Sequence, residues 1–166
     1  KIDSTPENWN SAATSFVGKE WGIINQGGNL LIEGVRIDAW DFDRDCPFKL
    51  PDGRRHLNTA AVRPYICTDG GVTKIRKSEI YNLGSWPGSY PSDRKLLLKS
   101  GIAFCNVTEG EIIESTFKHF YNGVYLDNVS GVKINYNYGI DGHHVDAIGG
   151  RAVRDLEVIG NHDSTV

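Results

Sequence analysis

The chain of 166 residues contains no methionine at all. It therefore lacks a start residue of its own, and Lys1 reads as the first residue of a mature or excised product. No apolar run approaches the roughly 20 residues that a membrane-spanning helix needs, and no segment has the pattern of a signal peptide. A basic excess is missing too. Eighteen Lys and Arg face 21 Asp and Glu, a net charge of −3, which excludes a general nucleic-acid binder. Cysteines are few. Cys46, Cys67 and Cys105 are an odd number, so at most one disulfide forms within the chain, and their wide spacing fits no zinc motif. Buried thiols are the expected state, with a Cys67–Cys105 bridge left open. Amphipathic helix is scarce, with one short helix expected near Pro6 to Gly18.

What remains is turn-rich and strand-rich. There are 19 glycines, and Val, Ile, Phe and Tyr alternate with polar residues. Five segments superimpose: Leu31 to Val35, Lys74 to Ser78, Glu111 to Ser115, Lys133 to Asn137 and Glu157 to Asn161. Each carries an aliphatic anchor at its second position: Ile32, Ile75, Ile112, Ile134 and Val158. Three residues later stands Ser78, Ser115, Asn137 or Asn161, with Val35 in the first copy. The intervals between anchors are 43, 37, 22 and 24 residues. Periods in the twenties mark stacked repeats. The two long intervals hold polar, Pro- and Gly-bearing insertions near 41–60 and 84–98, which read as loops leaving a regular coil.

Within each repeat the apolar residues alternate, as in Val132 and Ile134, so the units are short strands rather than helices. The expected fold is all-β: one right-handed parallel β-helix domain over 1–166. Ser and Asn at the turn should hydrogen-bond to the same position one coil on. Several coils are needed to bury the inward side chains. An uncapped last coil would expose strand edges, so a continuation of the chain or a neighbouring chain is expected to cover that end, with self-association as one outcome.

Proton-handling groups concentrate in Tyr138-Gly-Ile-Asp-Gly-His-His-Val-Asp146. Counting from the anchors, Lys118 falls in the column of Ile140, His119 above Asp141 and Tyr121 above His143, each about 4.8 Å away. The bland readings are a turn at Asp141-Gly142 and a solvated surface lysine at Lys118. Asp41, Asp43 and Asp45 hint at calcium but lack the EF-hand glycine and glutamate. No metal or other cofactor is expected. Trp40 reads as packing under the long loop, and Trp86 as a sugar contact. Asn106-Val-Thr108 and Asn128-Val-Ser130 are acceptors for glycans if the chain is secreted.

Several of these segments together resemble the mannuronan C-5 epimerase group of β-helix proteins. They are Gly28 to Asp41, Arg63-Pro-Tyr-Ile66, Ile75 to Gly84, Ser100-Gly-Ile-Ala-Phe104 and Phe120 to Tyr125. Tyr138-Gly-Ile-Asp-Gly-His143 is similar to that family's Tyr-Gly-(Phe/Ile)-Asp-Pro-His signature, with Gly142 where proline is usual. His144-Val-Asp-Ala-Ile148 also resembles a segment of lyase-like β-helix proteins. The resemblance implies a secreted or cell-surface protein acting on an anionic, uronate-bearing polysaccharide, as an epimerase or a lyase. It implies Tyr138 and His143 as acid and base, with Asp141 neutralising or orienting. Lys118 or His119 would meet the substrate carboxylate, Tyr121 and Trp86 would contact sugar, and His144 would stand in for His143. The competing expectation is a non-catalytic structural or carbohydrate-binding β-helix of a surface or filament.

Overall fold

The computed structural model describes residues 22–38, 65–81, 83–84, 101–118, 120, 123–140 and 148–162, with backbone alone at 40–41, 46–47 and 163–164. The helix expected near Pro6 to Gly18 lies outside these residues, and among them there is no helix. The first coil is β1 (Gly22–Asn25), β2 (Asn29–Glu33) and β3 (Arg36–Asp38). β4 (Trp40–Asp41) and β5 (Cys46–Pro47) then pair as a short antiparallel ribbon where the first insertion begins. The second coil is β6 (Tyr65–Asp69), β7 (Val72–Arg76) and β8 (Glu79–Tyr81). The third is β9 (Ile102–Cys105), β10 (Glu109–Ile113) and β11 (Thr116–Lys118). The fourth is β12 (Val124–Val129), β13 (Val132–Asn135) and β14 (Tyr138–Ile140), and the fifth is β15 (Ile148–Val153), β16 (Glu157–Ile159) and β17 (His162–Ser164).

Each strand pairs in parallel with its counterpart one coil on. This gives a first sheet β1-β6-β9-β12-β15, a second β2-β7-β10-β13-β16 and a third β3-β8-β11-β14-β17. Three parallel sheets visited in turn make a parallel β-helix. The register is the one the anchors dictate: Ile32 pairs with Ile75, Ile75 with Ile112, Ile112 with Ile134 and Ile134 with Val158. A one-residue slip would turn every inward side chain outward. The first four anchors are buried, and each contributes about 1.5–3 kcal/mol by leaving water. Ile66, Ile102 and Val124 form the matching column of the first sheet, and Ile80 and Phe117 that of the third.

The corner between second and third sheets is a ladder. Val35 N–H donates to Ser78 Oγ (3.4 Å), Ser78 N–H to Ser115 Oγ (3.2 Å), Ser115 N–H to Asn137 Oδ1 (2.9 Å) and Asn137 N–H to Asn161 Oδ1 (2.9 Å). Each small polar side chain thus accepts from the same position in the preceding coil. Asn137 Nδ2 also reaches Asn161 Oδ1 at 2.9 Å. The residue before each rung turns left-handed, at Gly34, Lys77, Glu114, Tyr136 and Gly160, with φ from 48° to 63°. The corner between first and second sheets is tighter. A Cβ on Gly71 would lie 2.3 Å from the carbonyl oxygen of Gly28, so that position admits only glycine.

Register also decides the cysteine question. Cys67 pairs with Ala103, and Cys105 with Asp69. The two cysteines are therefore diagonal neighbours at roughly 7–8 Å, beyond the ~6.8 Å reach of a disulfide. Both are buried thiols.

Candidate active site on the third sheet

The three sheets present very different outward faces. On the first, Cys67, Ala103 and Cys105 are buried together with Tyr65 and Tyr125 packed on them, so this face is covered. Beside them Arg151 grips the buried Asp127 through two hydrogen bonds of 2.9 and 3.0 Å. On the second sheet, charges alternate and cancel. Lys74 meets Glu109 at 2.6 Å, Lys133 meets Glu157 at 3.7 Å and Lys77 meets Glu114 at 3.8 Å. Arg76 holds Glu111 with both ends of its guanidinium. That hydrogen bond keeps the Glu111 carboxyl below the usual range, against the opposing effect of burial.

The third sheet exposes two columns. Arg36, Glu79, Thr116, Tyr138 and His162 form one, and Asp38, Tyr81, Lys118 and Ile140 the other. Between them Ile37, Ile80 and Phe117 point into the core. At the first two coils the columns are tied down. Arg36 binds Asp38 at 2.7 Å and lies 4.6 Å over the ring of Tyr81. Burial, then the charge of Glu79, raises the Tyr81 hydroxyl above its ordinary value.

At the fourth and fifth coils the strip is open. Tyr138 is 41% exposed and stacks on His162, with ring centroids 5.0 Å apart and planes at 23°. Lys118 is half-buried in the adjacent column, level with Ile140. Among the described residues no carboxylate pairs with it. Behind Tyr138, Gly139 takes the inward place that Phe117 and Ile80 fill one and two coils earlier. A cavity of about 210 Å³ opens there, walled by Phe117, Phe120, Val124, Ile134 and Ile148 and edged by His162.

Of the residues expected at the site, Tyr138 and Lys118 come together on this face. Asp141, His143, His144, His119, Tyr121 and Trp86 lie outside the described residues. So do most of the insertions near 41–60 and 84–98, including the side chains of Trp40, Asp41, Asp43 and Asp45. All six of those site residues fall in connections that run from the third sheet to the first. Every such connection (39–64, 82–101, 119–123 and 141–147) follows the C-terminal end of one of this sheet's strands. His162 was absent from the expected set. Its signal was nevertheless in the spacing, because it follows Tyr138 by the same 24 residues that separate Asn137 from Asn161.

Asn106 and Asn128 lie at the first corner in left-handed turns, exposed. Asn128 Nδ2 donates to Asn106 Oδ1 at 2.9 Å, and Asn106 Nδ2 to Asp69 Oδ1 at 2.7 Å. A glycan would be attached through these same nitrogens. Among the described residues no three His, Cys, Asp or Glu side chains gather into a metal-binding group, and no helix is long and apolar enough to cross a membrane.

No protein-family model matches the chain, and neither a curated protein nor a solved structure matches it.

Proposed function

We propose that the protein acts on a uronate-bearing polysaccharide, laid along the face of the third sheet, by removing the proton at carbon 5 of a sugar. The carrying observation is the open end of that face. Tyr138 and His162 are stacked, and Lys118 stands in the next column with no carboxylate partner among the described residues. The proton at carbon 5 is weakly acidic while the neighbouring carboxylate keeps its charge. A cation at that carboxylate stabilises the negative charge that develops as the proton leaves, and Lys118 supplies it. Positioned side chains then move the proton. Tyr138 is one of them, and the resemblance to the mannuronan epimerase group adds Asp141 and His143. The rigid sheet holds these groups in place, and the loops at its edge supply specificity. Secretion to the medium or cell surface belongs to this reading.

The test is incubation with polymannuronate and with polygalacturonate, followed by proton NMR of the polymer and by ultraviolet absorbance for unsaturated uronate. Conversion of either polymer is expected. Loss of that conversion in Lys118→Ala, with folding intact, assigns the cation. A wild-type protein that alters neither polymer sinks the reading.

One observation favours a binding or structural role instead. Tyr136 and Ile159, joined by a 2.8 Å hydrogen bond from the Tyr136 N–H to the Ile159 carbonyl, expose apolar surface together at the fourth and fifth coils, as a face that meets another chain would. Sedimentation of the purified protein over a concentration series tests it, and a monomer at all concentrations counts against it.

A further inference from the structure

The arrangement of Tyr138 and His162 bears on which reaction follows proton removal. This rests on the reading above. The two rings are 5.0 Å apart and nearly parallel. A sugar held between them would need van der Waals contact on both sides, at about 3.5–4.0 Å each. No sugar fits in that gap. Both side chains rise outward from neighbouring strands of one sheet, β14 and β17, so they reach a polymer lying on the strip from the same side. Epimerisation needs the opposite arrangement, with one group taking the proton from one face of the ring and another returning it to the other face.

We infer that the Tyr138–His162 pair serves β-elimination from a single face, and that the protein is a polysaccharide lyase with His162 as a catalytic residue. The neutral imidazole of His162 takes the proton from carbon 5. The electron pair of that C–H bond forms the double bond between carbons 4 and 5. The bond from carbon 4 to the bridging oxygen breaks with its pair on oxygen, and the Tyr138 hydroxyl protonates that oxygen. The imidazolium then returns its proton to the phenolate, which resets the pair. No oxidant or co-reactant enters. Lys118 neutralises the carboxylate as charge builds on it. The vertical step between the two side chains is one coil, about 4.8 Å. That step lets one group address carbon 5 and the other the adjacent glycosidic oxygen.

The test runs the whole protein in D2O on polymannuronate, whose C5 hydrogen and C4 oxygen lie on one face of the ring, with polygalacturonate, where they lie on opposite faces, as the contrast that single-face elimination should leave uncut. Polymannuronate chains ending in 4,5-unsaturated uronate, with no deuterium at carbon 5 of intact residues, support the inference, and unsaturated ends on polygalacturonate alone overturn it. Intact residues inverted and deuterated at carbon 5 overturn it and leave the broader function standing. An unchanged polymer overturns both. The variants His162→Gln and Tyr138→Phe, checked for an unchanged thermal midpoint, should each lower the rate of unsaturated product by at least about 100-fold, the lower end for losing a proton-transfer group. A lyase whose rate either variant leaves intact overturns the assignment to this pair. A positioning role for His162 would instead be rescued by His162→Asn, which keeps a polar planar side chain but cannot carry the proton.

Discussion

The second and third sheets are built from the same coils, yet their outward faces have opposite characters. On the second, nearly every charge has a partner one coil away, and Lys74, Arg76 and Lys133 are each matched by a glutamate. On the third, matching stops after the second coil. Arg36 is held by Asp38, but Lys118, Tyr138 and His162 face outward with no such ion-pair partner among the described residues. On the second face charge cancels charge, whereas the third leaves groups available to something else. The difference also shows that regular stacking does not by itself dictate chemistry, because equal spacing supports both.

The comparison can be broken most sharply at the open end of the third sheet. Tyr138→Phe should cost activity on uronate polymers by roughly 10²–10⁴-fold while leaving the melting curve in place. A variant that unfolds instead would make Tyr138 a scaffold residue, and the contrast would fail. The corner shared by the two faces comes next. Asn137 is buried and serves both Ser115 N–H and the carbonyl of Ile112. Asn137→Ala should destabilise by about 1–3 kcal/mol, because it strands buried polar groups. Urea denaturation would read this directly.

Smaller effects sharpen the other side. Arg76→Ala should leave activity unchanged and lower thermal stability only slightly, as an ion pair whose arginine stays open to solvent contributes little. Its pH signature is more telling. The Glu111 carboxyl lies below its ordinary value in the folded chain. Its stabilising contribution is therefore complete above the unfolded carboxylate range, near 4.3, and fades as pH falls through the lower folded value. Acid melting of wild type and Arg76→Ala should converge at low pH. Parallel curves would mean that the pair contributes nothing. Raising salt should likewise shrink the small wild-type advantage.

Much of the scaffold was legible in the sequence because a stack repeats one requirement. Ile32, Ile75, Ile112, Ile134 and Val158 occupy one column. An insertion between coils cannot shift that column without turning the core outward. The ladder at Ser78, Ser115, Asn137 and Asn161 was legible for a related reason, since only small polar side chains reach the neighbouring N–H. The placement of Lys118 beside Ile140 followed from the same count. The partner of Tyr138 is not among the earlier coils that the anchors align with it, because His162 lies one coil later. Gly139 belongs to the Tyr138–His143 motif, but its inward direction, and the cavity behind it, depend on packing rather than pattern. The Cys67–Cys105 question needed a register between two distant segments, which no local signal supplies.

The four connections from third to first sheet span very different lengths of chain, yet the anchors on either side of each remain paired. Length at that corner is therefore free of the constraint that governs every other turn. A lineage of such proteins can trade one loop for another there and keep the core and the outward strip of the third sheet untouched. Selection can then retune what is recognised without renegotiating how the chain folds. Grafting a foreign loop into 82–101 should test that independence, since the stack on both sides needs only the same entry and exit points.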